Sequence, residues 1–299
     1  TIAEAEMLAM VNAPDVLLAY QPTATKAKRL IQLVKKYPAT KFSGLIDDMD
    51  NAENISNIFS KNDLTLNVYI DLNVGMNRTG IKTENAFQLY EDCEHLNGIN
   101  IIGLHVYDGH IRDTNIEERK LNADAAFASI IELADKIESS ANKKLKIVAG
   151  GSPTFPVHAQ RKNIECSPGT FVFWDYGYAT QFSDEPFKLA ALIITRIISI
   201  IDEHIICTDL GHKSVAAENI LEKRVHFLNA DNIQFISQSE EHLVLKVDDS
   251  SVYKIGDVLY GTPYHICPTV ALYERAAVVE NNNAVDEWNV IARNKKISV

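Results

Sequence analysis

Disulfide spacing is missing from this chain: its four cysteines, Cys93, Cys166, Cys207 and Cys267, lie scattered over 299 residues. That excludes a small secreted scaffold held by cross-links and suits a reducing compartment in which thiols stay free. An excess of positive charge is missing too. Against 40 Asp and Glu stand 29 Lys and Arg, a net charge of -11, and no basic cluster compensates it locally. Nucleic acid is therefore not expected as a partner. Long apolar runs are absent as well: stretches such as 189–201 are broken by Thr195, Arg196 and Ser199, short of the roughly 18 uninterrupted residues of a membrane span. No signal peptide opens this sequence, no internal repeat or low-complexity segment is seen in it, and the expectation is a cytoplasmic protein. A chain that opens Thr1-Ile2-Ala3-Glu4 without Met need not begin at its natural N-terminus.

What is present is a composition with 46% hydrophobic residues and enough length for two domains. Up to about residue 187 helical and strand patterns alternate: helices over 3–11, 25–36, 51–60, 84–95 and 117–140, strands over 16–20, 41–46, 65–71, 101–107 and 145–148. Alternation of this kind predicts a parallel α/β architecture, either a TIM-type barrel with its active site at the C-terminal strand ends or a doubly wound open sheet. From 188 to 299 β-branched runs separated by turn residues predict an antiparallel β domain.

Five segments could hold chemistry. In Thr262-Pro263-Tyr264-His265-Ile266-Cys267-Pro268-Thr269 the pattern reads as extended, so that His265 and Cys267, two apart, project from one face. Imidazole plus thiolate is a zinc-leaning pair that leaves positions open for water or substrate; an incidental half-buried strand pair is the competing reading. Gly150-Gly151-Ser152-Pro153-Thr154 directly follows a strand and offers close backbone approach and hydroxyl donors to a phosphate, or is simply a turn. The loop from Asp71 to Gly80 presents Arg78, whose planar fork suits a carboxylate or phenolate oxygen. Tyr107-Asp108-Gly109-His110 offers an aromatic face and an imidazole, while His105 reads as a core residue without a role. In Glu165-Cys166-Ser167-Pro168-Gly169-Thr170, Glu165 could meet a ring nitrogen and the backbone at Gly169 and Thr170 a phosphate.

The order Asp-x-Asn-x-Gly-Met-Asn-Arg-Thr-Gly, Gly-Leu-x-x-Tyr-Asp-Gly-His, Gly-Gly-Ser-Pro-Thr, Glu-x-x-Pro-Gly-Thr and His-Ile-Cys-Pro-Thr resembles the D-threonine aldolase and D-serine dehydratase family, pyridoxal-phosphate enzymes of the alanine-racemase-like fold. The likeness runs essentially the whole length. It implies a cofactor-binding barrel over 1–187, a metal-bearing β domain over 188–299 and a homodimer acting on a small D-amino acid. On this sequence it implies that Gly151, Ser152 and Thr154 hold the phosphate with Gly169 and Thr170 nearby. Tyr107 would lie against the pyridine ring, Glu165 would partner the ring nitrogen, Arg78 would approach the phenolic oxygen or substrate, and His265 and Cys267 would bind zinc.

Two departures stand out. The family's Schiff-base lysine lies in an Arg-Pro-His-x-Lys-like segment that is not found here, and Lys26, Lys28 and Lys213 sit in the wrong context to replace it. The expectation is an N-terminally incomplete barrel, its first βα unit missing. Ser167 stands where related sequences often have a longer polar residue, which weakens the role of Glu165. Cys267 favours zinc and a D-serine dehydratase, since the family's aldolases more typically place a carboxylate there, suited to manganese or magnesium. A D-threonine aldolase, an amino-acid racemase, or a non-catalytic cofactor-binding protein if the lysine is truly absent, are the alternatives.

Overall fold

Helical spacing of apolar residues decides which face each N-terminal helix buries. In α2 (Ala24–Lys36) Ala27, Leu30, Ile31 and Leu33 are buried while Lys28, Gln32, Lys35 and Lys36 face water. A computed structural model describes all of residues 1–299. Before α2 come α1 (Ile2–Met10), started by a Thr1/Glu4 capping box, and β1 (Asp15–Leu17). After it come β2 (Lys41–Ile46), α3 (Met49–Ser60) with Asp48 as its cap, β3 (Leu66–Asn73), β4 (Ile81–Lys82) and α4 (Thr83–Cys93). Then follow β5 (Ile99–Val106), α5 (Ile116–Ala141) capped by Asn115, β6 (Lys146–Ala149), α6 (Phe155–His158) and β7 (Ile164–Cys166).

The main strands pair in parallel in the order β1-β2-β3-β5-β6-β7, with β4 on the end of β3. A doubly wound sheet reverses its strand order midway; this one runs in one direction throughout, which selects the barrel-type winding. The sheet also curls. Lys146 Nζ at the start of β6 lies 3.2 Å from Asp15 Oδ2 on β1, although β2, β3 and β5 stand between them. Leu30, Ile46, Ile55, Val68, Leu104 and Ile130 belong to the core between helices and strands, and Leu45, Tyr69 and Val148 cluster separately.

Two compact units divide the chain, Thr1–Pro168 with Ile291–Val299, and Gly169–Val290. Residue 187, where the sequence pattern changes, falls inside the second unit. That unit contains α7 (Tyr176–Gln181), β8 (Ile193–Ile200), β9 (Ile205–Thr208), β10 (Val225–Phe227), β11 (Gln234–Gln238), β12 (Leu243–Lys246), β13 (Val258–Pro263) and α8 (Ile266–Val270). Its strands form an antiparallel sheet in the order β10-β13-β8-β9-β12-β11. A hairpin follows, β14 (Arg275–Glu280) and β15 (Asn283–Asn289). Its two-residue loop places Asn281 and Asn282 at φ 50° and 64°, the left-handed geometry that asparagine tolerates in a tight hairpin turn. Asp209 ties β8 to β9, its Oδ1 accepting from the Thr195 hydroxyl (2.6 Å) and the Arg196 N–H (2.8 Å). Gly211 is required by contact, since a Cβ there would lie 1.8 Å from the Glu240 carbonyl oxygen.

The last residues return to the first unit through a buried carboxylate. Glu6 accepts from the Ser298 N–H at 3.0 Å and from Lys36 Nζ at 3.2 Å, and Arg29 holds the Val299 oxygen at 2.7 Å. Burial pushes the Glu6 carboxyl up, but the bonds from Ser298 and Lys36 outweigh it and leave it below the ordinary value of 4.5. A carboxyl depressed in the folded state stabilises fully above its unfolded value, and that stability is lost as pH falls through the folded one. Hydrogen exchange in 291–299 is therefore expected to accelerate below about pH 4.5 in the wild type. In Glu6→Ala it should be fast already at pH 7, with a loss of about 1–3 kcal/mol in denaturant titration. Unchanged exchange in the variant would show that the carboxylate does not hold the tail.

Candidate functional site

At the C-terminal ends of the parallel strands three loops converge. Gly150 follows β6 at φ +82°, and a Cβ there would lie 2.7 Å from His158 Cδ2. At Gly151 a Cβ would come within 3.0 Å of Tyr107 Cε2, so the Tyr107 ring lies against bare backbone. Arg78 reaches the same ring from the loop after β3, its guanidinium carbon 4.7 Å from the centroid. An aromatic face, a cation and a glycine backbone without side chains, from three different strands, suit a flat anionic ligand. Ser152, beside them, is buried.

The loop's shape is fixed from beneath. Asp108, buried after β5, accepts from the Thr154 hydroxyl on one oxygen and meets His158 Nε2 on the other, both at 2.7 Å. Thr154 Oγ1 in turn accepts from the Gly151 N–H at 3.3 Å, and Ser167 Oγ donates to the Gly150 carbonyl at 2.8 Å. The Thr154 hydroxyl is thus engaged in shaping the turn. Glu165 points elsewhere: its carboxylate is 61% exposed and lies 3.9 Å from Lys146, at the far end of β6 from Gly150. Lys26 sits over the Tyr20 ring at 3.9 Å and Lys213 pairs with Glu240 and Glu241.

Sequence reasoning passed over a polar network on the same strand ends. His105 Nδ1 lies 2.7 Å from Asp71 Oδ1, and Gln21 Nε2 bridges Asp71 (2.8 Å) and Asp47 (2.9 Å). The Gly80 N–H closes it on Asp47 at 2.9 Å. Burial pushes the Asp47 carboxyl up, and the neighbouring Asp71 charge adds to that. Asp71 and His105 are register partners in adjacent parallel strands, a pairing that no spacing in the sequence reveals.

In the second unit the extended reading of His265 and Cys267 is corrected. β13 ends at Pro263, His265 caps α8 at φ -139°, ψ 103°, and Cys267 lies in the first helical turn. Pro268 is compatible with that turn because its missing N–H would have no helical partner there. The two side chains still meet, now across a helix start. His265 is pushed up to about 9 by its bond to Cys267, aided by Glu218 against burial. The Cys267 thiol is drawn down, chiefly by His265 and further by Thr170, whose Oγ1 is 3.7 Å from Sγ. His265 Nδ1 is 2.6 Å from Glu218 Oε1. Asp175 anchors the helix start, accepting the Ile266 N–H at 3.0 Å. Thr170 thus stands beside the thiol, while Gly169 has open space around it. No group of three or more His, Cys, Asp or Glu side chains is placed to enclose a metal ion; an imidazole with one nitrogen on a carboxylate, beside a low thiol, supplies two donors of the kind zinc takes.

Residues 1–176 match the family described as "Alanine racemase, N-terminal domain", and residues 190–279 match the "Putative serine dehydratase domain". Among known proteins, the 3-hydroxy-D-aspartate aldolase of Paracoccus denitrificans (strain Pd 1222) is 24% identical over 305 residues, covering 98% of this chain and 77% of that protein. The crystal structure of D-threonine aldolase from Filomicrobium marinum superposes with a TM-score of 0.87 at 22% identity, over 98% of this chain and 80% of its own. That of D-threo-3-hydroxyaspartate dehydratase from Delftia sp. HT23 gives 0.83 at 17%, over 97% and 82%. A dehydratase of that name is also known with alanine in place of a histidine and, in the metal-free form, in place of a cysteine two positions beyond it. At these identities the superpositions establish the fold. No helix is long and apolar enough to cross a membrane.

Proposed function

Because this chain belongs to the alanine racemase N-terminal-domain family, we propose that it is a pyridoxal-phosphate-dependent lyase of D-3-hydroxy amino acids, and specifically a zinc-assisted D-serine dehydratase. The observation that carries the reading is His265 beside Cys267 with Glu218 on the imidazole. A thiolate selects zinc over magnesium or manganese, and the same His-x-Cys spacing is the one altered in the D-threo-3-hydroxyaspartate dehydratase variants.

When bound, the cofactor supplies an electron sink and zinc supplies Lewis acidity to a departing β-hydroxyl, which is otherwise a poor leaving group. The chain's own residues do the rest. Gly151 and Ser152 receive the phosphate on a turn that Asp108 and Thr154 hold rigid. Tyr107 provides the flat wall for the ring, and Arg78 sets a fixed positive charge beside it for the phenolic oxygen or the substrate carboxylate. The Asp71 carboxylate fixes the orientation of the buried His105 ring. His265 and Cys267 hold the metal. Four free cysteines support a cytoplasmic setting. The exposed Ile194, Ile198 and Tyr260 on the antiparallel sheet support a homodimer.

A D-threonine aldolase is the second reading, favoured by the D-threonine aldolase of Arthrobacter sp, which is 23% identical over 85% of this chain. Products separate the two. With cofactor and zinc added to the full-length protein, D-serine is expected to give pyruvate and ammonia, while D-threonine should give little glycine and acetaldehyde. Glycine and acetaldehyde from D-threonine without pyruvate from D-serine would overturn the dehydratase assignment.

A further inference from the structure

We propose that Glu218 is a positioning residue for the metal: it holds the proton on His265 Nδ1 and so presents the Nε2 lone pair to zinc. The inference rests on the reading that His265 and Cys267 bind zinc, and it adds the residue that prepares the histidine. A carboxylate can only accept, so the 2.6 Å contact from Glu218 Oε1 to Nδ1 requires the proton at Nδ1. In the neutral ring Nε2 is then left unprotonated, the form a metal needs.

Glu218 is held there by the fold. Val215 is fully buried in the core of the antiparallel unit. The next residue, Ala216, donates its N–H to the buried Thr269 Oγ1 at 3.2 Å. That hydroxyl donates to the His265 carbonyl at 2.7 Å. One threonine therefore links the backbone just before Glu218 to the backbone of the histidine it contacts, and α8 fixes the spacing. The carboxylate itself is 45% exposed and makes no contribution to the core, so its replacement tests orientation rather than folding.

Zinc affinity is the readout, measured by chelator competition on full-length wild type, Glu218→Ala and Glu218→Gln, with thermal melts to verify folding. Glu218→Ala is expected to bind zinc about 10–100-fold more weakly, the usual cost of losing a carboxylate behind a metal-bound histidine. Glu218→Gln should recover most of the loss, because its amide oxygen still accepts from Nδ1–H. A second arm needs no metal: at a pH above about 9, where the His265 ring is neutral, its ¹⁵N shifts should report the Nδ1 proton in the wild type and a changed tautomer balance in Glu218→Ala. Equal zinc affinity in wild type and Glu218→Ala would overturn the role of Glu218 while leaving the zinc site standing. A wild type that binds no zinc would refute the metal reading, and the nitrogen shifts would then still decide whether Glu218 sets the tautomer.

Discussion

Cys267→Ala is expected to lower pyruvate formation from D-serine by on the order of 10²–10³-fold while leaving the absorbance of bound cofactor unchanged. On the proposed zinc site the substitution removes one of two protein donors, and a lone imidazole does not hold zinc against water. Lewis-acid assistance to a leaving hydroxyl is worth several kcal/mol, and each 1.36 kcal/mol is about tenfold in rate. The variant should also release the histidine: His265, raised to about 9 mainly by Cys267, should titrate nearer its ordinary range. Cys267→Asp separates donor loss from donor type. It keeps a ligand but exchanges a soft sulfur for a hard oxygen, so activity should return preferentially with manganese or magnesium. Steady-state rates on metal-stripped and reconstituted protein check this. Full activity of metal-free Cys267→Ala would remove zinc from the mechanism.

The parallel winding could be read from the sequence because each helix has a one-sided apolar stripe and each strand a continuous apolar run, local patterns that tertiary packing did not override. Tyr107, Arg78 and Gly151 were legible for a different reason: all lie just beyond strand ends, where a barrel gathers its loops, and the structure brings them together. What could not be read was pairing. That the Thr154 hydroxyl is taken by Asp108 depends on two loops 46 residues apart, and no spacing rule links them. His265 and Cys267 were singled out for a geometry they do not have. An i, i+2 pair shares a face in a strand, but His-Ile-Cys-Pro-Thr begins a helix because Asp175, distant in sequence, accepts the Ile266 N–H. Glu218 escaped notice because nothing local marks it. Its meaning comes from Thr269, which ties two segments 53 residues apart.

The second large effect concerns Asp108. Its carboxylate is 2% exposed and satisfies two groups that are themselves buried, the Thr154 hydroxyl and His158 Nε2. The other ring nitrogen of His158 is buried without a hydrogen-bond partner, so Asp108→Ala would leave both nitrogens of a core imidazole unsatisfied, edge-on to Phe127. Orphaning buried polar groups costs about 1–3 kcal/mol each, and the expected loss is about 3–5 kcal/mol, read from the shift in urea midpoint. Cofactor binding should fall with it, because the hydroxyl that accepts the Gly151 N–H is no longer held and the turn loses its fixed shape. Asp108→Asn separates the contributions. Its amide oxygen can still accept from Thr154, and its NH₂ can donate to Nε2 if the ring proton moves to Nδ1, so it should retain most of the cofactor affinity with a smaller loss of stability. A midpoint for Asp108→Ala equal to the wild type's would mean that the Gly150–Thr154 turn is held by its own backbone, and the cradle would then be a property of the two glycines alone.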